Sequence, residues 1–247
     1  MVTAVIPCGG LGTRMASVAG TLPKELLPVA GKPVLQWTLD EAAAAGIERA
    51  VIVTRPGKPQ IAEFLSNLPT VQLSISLVVQ PEPRGLGDAL TCARPLLGEN
   101  DVAVLLPDNL FARPGPMASV LEAYRRTGES SVLLAEVPAA RTPVRGATGR
   151  ASCRRRRDGL WDVVAVAEKA PAEPSTLTPI GRWVFAPSVF ERFERLRARL
   201  PAVSELDDVP VLQELAVEGR LIGVPLAGVF YDVGQPAGYR DALAAFT

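Results

Sequence analysis

The chain has 247 residues, 48% of them hydrophobic and 21% charged, enough to bury one sizeable core with or without an inserted subdomain. Lysine plus arginine and aspartate plus glutamate number 26 each, so no net field favours nucleic acid or a membrane surface. Histidine is absent, which removes imidazole bases, Ser-His and Cys-His nucleophile systems and His-ligated zinc.

In chain order, the apolar run TAVIPC, Thr3 to Cys8, ends at glycines and predicts a buried strand. Pro33 near its start, an alanine-rich body and Gly46 as a stop predict a helix through KPVLQWTLDEAAAAG. RAVIVT, Arg49 to Thr54, predicts a second buried strand, PQIAEFLSN a helix, and QLSISLVV, Gln72 to Val79, a further strand. A helix in LGDALTCARPLL, with Pro95 in its last turn or at its end, leads to the strand DVAVLLPD. Strand and helix alternating at this spacing make a parallel sheet covered on both faces. The first half therefore predicts a Rossmann-like, doubly wound, mostly parallel α/β sheet.

The second half is less regular. SSVLLAEV, WDVVAVAE, GRWVFAP, LIGVPL and GVFYDVG predict strands, while PSVFERFERLRARL, VPVLQELAVEG and PAGYRDALAAF predict helices. Pro138 to Asp158 is rich in Gly, Pro and Arg, and Arg154 to Arg157 followed by Asp-Gly reads as a solvated hairpin turn. No repeat and no flexible linker stands out. The expectation is one domain over residues 1–247, with halves 1–137 and 138–247, the second carrying a small β-rich insertion. Cys8, Cys92 and Cys153 have neither metal spacing nor a disulfide framework, no apolar run has the length of a membrane span, and the first strand follows directly on the N-terminus. These features lead to the expectation of a cytoplasmic protein that binds neither nucleic acid nor membrane.

The chemistry begins at IPCGGLGTRM, residues 6–15. Glycines after a first strand let backbone N–H groups approach a phosphate or a flat base, and the next helix start adds partial positive charge. The dinucleotide pattern G-x-G-x-x-G fails, since its third glycine falls on Met15, and no Gly-Lys-Ser/Thr closes a Walker loop. What remains is G-G-x-G-T-R, with Pro-Lys-Glu at Pro23 to Glu25.

That pair of motifs resembles the sugar-1-phosphate nucleotidylyltransferases, most closely their bacterial uridylyl branch. LPKELLPVAGKPVLQW, GLGDAL at Gly85, LLPD at Asp108, VAEK at Glu168, IGRWVF at Gly181 and YDVG at Asp232 follow in the family order over nearly the whole chain. The resemblance implies the nucleotide-diphospho-sugar transferase fold. It implies a reaction in which a sugar 1-phosphate and a nucleoside triphosphate give a nucleotide-sugar and pyrophosphate. The attacking phosphate oxygen is already anionic, so the missing histidines are no obstacle, and catalysis means alignment plus positive charge. Arg14 and Lys24 are the implied catalytic cations. Gly9, Gly10, Leu11, Gly12, Thr13, Gln80, Gly85 and Asp108 are the implied nucleotide contacts, the Gln80 amide meeting the alternating edge of uracil or thymine. Asp108 and Asp232, each after an apolar run, are the candidate ligands of Mg2+, a metal content with few carboxylates. Gly146, Glu168, Lys169 and Gly181 are the implied sugar-phosphate contacts.

Ala170 stands for the family's proline after Glu-Lys, Arg145 for a tyrosine, Thr176 for an asparagine, and SELDDVPVLQEL for the usual GEIQLTDAI. The departures gather in the sugar-reading half. UTP with glucose 1-phosphate is the leading pair. The same chemistry with dTTP or another triphosphate and an unusual sugar or cyclitol phosphate stays open, as does a silent nucleotide-sugar binder. The resemblance also carries a tendency to form dimers or tetramers.

Overall fold

The structure is a computed structural model of the chain and describes residues 1–68, 72–111, 115–136, 149–167, 177–201 and 204–246. In chain order its strands are β1 (Val2–Pro7), β2 (Pro28–Val29), β3 (Lys32–Pro33), β4 (Arg49–Thr54), β5 (Ser74–Val79), β6 (Asp101–Leu105) and β7 (Asn109–Phe111). Then come β8 (Ser130–Glu136), β9 (Arg150–Arg155), β10 (Trp161–Ala167), β11 (Leu177–Phe185), β12 (Leu221–Pro225) and β13 (Phe230–Asp232). The helices are α1 (Ala16–Ala19), α2 (Val34–Ala44), α3 (Pro59–Ser66), α4 (Leu86–Ala93), α5 (Met117–Thr127), α6 (Val189–Arg199), α7 (Val209–Val217) and α8 (Pro236–Ala245). Among the described residues no helix is long and apolar enough to cross a membrane.

Nine strands form one sheet in the order β5-β4-β1-β6-β11-β8-β12-β10-β9. Neighbours from β5 to β6 are parallel, β11 runs antiparallel between β6 and β8, β12 is parallel to β8, and the β9–β10 hairpin closes that edge. Seven of the nine strands therefore share one direction. The β-rich insertion is thus a continuation of the main sheet, and the arginine run expected as a turn is half strand: Arg154 and Arg155 end β9, paired with Asp162 and Trp161, and Arg157 lies in the turn, all three exposed.

Alternation along the central strands feeds two cores. Ala4, Ile6, Ala50, Ile52, Ala103 and Leu105 face α2, α3 and α5, while Val5, Val51, Val53, Val102 and Val104 face α4, α6 and α7. A third, smaller cluster joins Met15 and Val34 to Val233, Tyr239 and Ala242, so the last helix packs beneath the first loop. The expected GVFYDVG strand forms, as β13. The GVFYDVG strand does not enter the main sheet: β13 pairs with β7 in a separate two-stranded ribbon, Asp232 opposite Asn109. Three residues are too few for a strand to span the sheet, and the ribbon instead bends Asp232 back over the end of β6.

Candidate active site

β1 lies inside the sheet with β4 on one side and β6 on the other. The chain goes first to β4 and only later to β6, so a switch point opens at the carboxyl end of β1, where open α/β sheets bind ligands. Residues 9–14 leave the strand there. Gly12 has φ 69°, left-handed backbone suited to glycine, and its carbonyl accepts from the Met15 amide at 2.9 Å to close the turn Thr13–Met15. Met15 is fully buried, which anchors the loop, while Arg14 next to it is exposed.

Lys24 stands on the tight turn Lys24–Leu26 that follows Pro23. Its Nζ donates to Asp108 Oδ2 at 2.5 Å. Asp108 follows β6 by three residues, and its carbonyl accepts from the Val233 amide at 2.8 Å, tying the two acidic loops together. A Cβ on Gly234 would stand 2.9 Å from Asp108 Oδ2 and 3.1 Å from Asp232 Oδ1, so both carboxylates converge on that one bare backbone. The Asp232 carboxylate accepts from the Gly234 amide at 3.2 Å and from Gln235 Nε2 at 2.9 Å.

The charges settle unequally. Burial works against ionisation of Asp108, but the ammonium of Lys24 and, more weakly, the guanidinium of Arg14 outweigh it and hold the carboxyl below its ordinary value. Burial likewise works against the Lys24 charge, and Asp108, Glu25 and Asp232 together keep its proton on. Asp232 loses the contest: burial first and the Asp108 charge second push it up to about 6, against the pull of Gln235, Lys24 and Arg14. Two converging carboxylates offer hard oxygen donors that suit a divalent cation such as Mg2+, which takes few protein carboxylates and keeps other positions for water and phosphate. Among the described residues no group of three or more His, Cys, Asp or Glu side chains could hold a metal.

Across the loop, Gln80 is buried at the end of β5. Its Nε2 donates to Gly85 O at 3.2 Å and to Asp88 Oδ2 at 2.7 Å, and its Oε1 turns to Gly9, 2.6 Å from where a Cβ would stand. Both amide hydrogens are used internally, leaving an acceptor facing the loop. Gly85 opens α4 with φ 93° and lies against the Leu206 backbone.

These residues line two adjoining chambers. One, of about 420 Å3, is walled by residues 9–14, Lys24, Gln80 and Gly85. The other, of about 210 Å3, is walled by Asn109, Thr178, Gly181, Asp207 and Asp208. Arg14, Asp108 and Asp232 line both, so the cation and the two acids mark their junction. Of the sequence-derived sugar-phosphate contacts only Gly181 is seen here; Gly146, Glu168 and Lys169 lie outside the described residues, as do Arg145, Ala170 and Thr176.

Two residues beneath the site, Glu25 of the Pro-Lys-Glu motif and Lys58, have no role in the sequence reading. Glu25, adjacent to Lys24, is 2% exposed and pairs with Lys58, 7% exposed, whose Nζ lies 3.1 and 3.0 Å from the two carboxylate oxygens. The same Nζ donates to the Cys8 carbonyl at 2.7 Å, one residue before the glycines. A lone lysine in the turn RPGK gives no sign of this, because such a residue ordinarily stands in solvent.

Comparison with known proteins shows the family. The Nucleotidyl transferase family profile matches residues 3–247. A UTP–glucose-1-phosphate uridylyltransferase of Bacillus subtilis (strain 168) is 31% identical, over 98% of this chain and 90% of that protein. A crystal structure of a UDP-glucose pyrophosphorylase complexed with UDP-glucose superposes with a TM-score of 0.87 at 27% identity, covering 100% of this chain and 98% of that one. A UTP-bound UGPase from Acinetobacter baumannii gives 0.84 at 25% identity, covering 100% and 93%. Matched from its first strand to its last helix, the chain belongs to the nucleotidyl transferase family and is an enzyme of that family.

Proposed function

We propose that the protein transfers a uridylyl group from UTP to a sugar 1-phosphate, glucose 1-phosphate being the leading candidate, with release of pyrophosphate. The observation that carries the reading is the junction: a loop-walled chamber and a second polar chamber meet at Arg14, Asp108 and Asp232. A sugar phosphate in the second chamber faces the α-phosphoryl group of a triphosphate in the first. Its anionic oxygen forms the new P–O bond as the α–β bridge breaks, and that electron pair leaves on pyrophosphate. No proton moves, in keeping with a chain that has no histidine.

The chain's own share is alignment and charge. Backbone amides of Gly9 to Thr13 approach the triphosphate. Arg14 meets its outer phosphates, and Lys24, held at the junction by Asp108, meets the α-phosphoryl group. Asp108 and Asp232 would hold a divalent metal, which supplies countercharge to the phosphates. Gln80 offers an acceptor alone, since both its amide hydrogens are engaged. An acceptor pairs with the N3–H of uracil or thymine and not with the bare N3 of cytosine. Glu168 and Lys169, with the backbone of Gly146 and Gly181, remain our assignments for the sugar phosphate.

Asp207 and Asp208 in the wall of the second chamber favour a second reading, in which the sugar or cyclitol phosphate differs from glucose at the group they meet. Pyrophosphate release, measured for UTP, dTTP and CTP against glucose, galactose, mannose, N-acetylglucosamine and cyclitol phosphates, tests both. We expect UTP to exceed CTP by at least about 10²-fold in kcat/KM, the scale of one unpaired buried polar group in a specificity site. Release with another sugar and not with glucose 1-phosphate selects the second reading. No pyrophosphate from any pair would overturn nucleotidyl transfer.

A further inference from the structure

Lys24 has a cation to deliver, and something must hold it against a partly exposed cleft. The turn that carries it is only three residues long, and no side chain caps it. What pins the turn from below is Glu25, and what pins Glu25 is Lys58, reaching from the loop that opens α3. The same ammonium holds the Cys8 carbonyl, at the root of the glycine loop. One buried charge thus bridges two segments: the loop that would cradle the triphosphate and the turn whose lysine would meet its α-phosphoryl group.

We propose that Lys58 is a positioning residue for nucleotidyl transfer. Resting on the function proposed above, it sets the distance between the glycine loop and Lys24 while touching neither substrate. The lysine's single ammonium suits the task, because its three donors reach both carboxylate oxygens and a backbone carbonyl at once. Fixing the pair is worth keeping even though a buried ion pair adds little net stability, since desolvation offsets most of the attraction. In a site that works by alignment, a displacement of about 1 Å costs on the order of 10²-fold in rate.

The test separates placement from folding. Lys58→Met combined with Glu25→Met removes both charges together and avoids an uncompensated buried carboxylate. We expect kcat to fall at least about 10-fold, with KM for the triphosphate within about two-fold and Tm near wild type. Introduced into Lys24→Ala, the same pair should cost less than about three-fold more, because it acts largely through Lys24. Wild-type kcat, or a full additive loss without Lys24, overturns the proposal. Should the pair variant fail to fold, Lys58→Arg decides: its longer fork keeps the charge on Glu25 but shifts it, and kcat should fall about 3–10-fold at unchanged KM. Unchanged kcat there counts against the proposal. If wild type releases no pyrophosphate with any substrate pair, the functional reading falls and the positioning claim is judged from a crystal structure of the Lys58 variant. Loss of the Lys24–Asp108 contact supports it; an unmoved Lys24 refutes it.

Discussion

Asp232 shows how a single residue trades stability for chemistry. Its carboxyl, pushed up to about 6 by burial and by Asp108, ionises in the folded protein only above the pH at which an unfolded aspartate does. The unfolded value is about 3.9. Between those two values the unfolded chain has shed the proton and the folded chain keeps it. Folding stability therefore falls as pH rises from about 4 to 6, and the penalty is fully present above 6. Two units would be worth about 3 kcal/mol at full burial, and the partial exposure of the side chain cuts this to about 1 kcal/mol. Asp232→Asn, studied with chelator present, should accordingly be more stable than wild type by about 1 kcal/mol at pH 8 and no more stable at pH 4. Its turnover with Mg2+ should be lower by at least about 10²-fold. Equal stability at pH 8 would show that neither burial nor Asp108 strains Asp232, and wild-type turnover would remove Asp232 from the metal site. Such a gain of stability with loss of activity is the signature of a strained functional group.

At the scale of elements, the larger chamber, proposed above to hold the nucleotide, depends on a clamp between the two halves of the chain. The Leu206 amide donates to the Arg84 carbonyl at 2.7 Å and the Leu206 carbonyl accepts from the Gly87 amide at 2.8 Å, which fixes the start of α4. Gly85 lies inside that clamp, where a Cβ would stand 2.6 Å from the Leu206 carbonyl oxygen and 2.9 Å from its nitrogen. Neither neighbour is a flexible side-chain end. Gly85→Ala should therefore cost about 2 kcal/mol or more and raise KM for the triphosphate, because the pocket wall must move. Gly159→Ala is the control. That glycine also has positive φ, 85°, but open space around it, so only the conformational penalty of about 1–2 kcal/mol applies and KM should not change. Urea midpoints at constant m, with KM values, check both; a Gly85→Ala protein with wild-type KM would show that the clamp does not shape the pocket.

What the sequence made legible follows from the length and burial of each element. β1, β4 and β6 read as continuous apolar runs because both their faces are buried, and α4 reads from LGDALTCARPLL, with Pro95 just beyond its end. The helix α5 went unread although Met117, Val120 and Leu121 carry helical spacing, because neither a capping side chain nor an acidic first turn announces its start. β2, β3 and β7 are too short to show a period of two, whereas β13 reads from its apolar run GVFY. The site residues Arg14, Lys24, Gln80, Asp108 and Asp232 stood out through their motifs, and the structure gathers all five around one cleft. Lys58 did not, because its partner lies 33 residues away and only the β4–α3 turn brings them together.

Over the whole molecule, the expected division at residues 137 and 138 crosses structure that is shared. β6, from the first half, is hydrogen-bonded to β11, from the second, with Val104 opposite Trp183. One apolar cluster combines Val5, Val53 and Leu90 with Phe190, Leu212 and Leu215. The last helix returns to the first loop, and Tyr239 Oη donates to the Pro28 carbonyl at 2.7 Å. Residues 1–137 alone would leave the edge of β6 unpaired and the Val102 and Val104 face without its full cover. We therefore expect one cooperative thermal transition, with calorimetric and van't Hoff enthalpies equal, and no folded state for the isolated fragment 1–137. Because the two chambers draw residues from both halves, UTP at about 100 times its dissociation constant should shift that transition as a whole, by about 2.7 kcal/mol, without splitting it. Two resolved transitions, with only the lower or the upper one moving on addition of UTP, would show instead that the halves fold separately and that the nucleotide belongs to one of them.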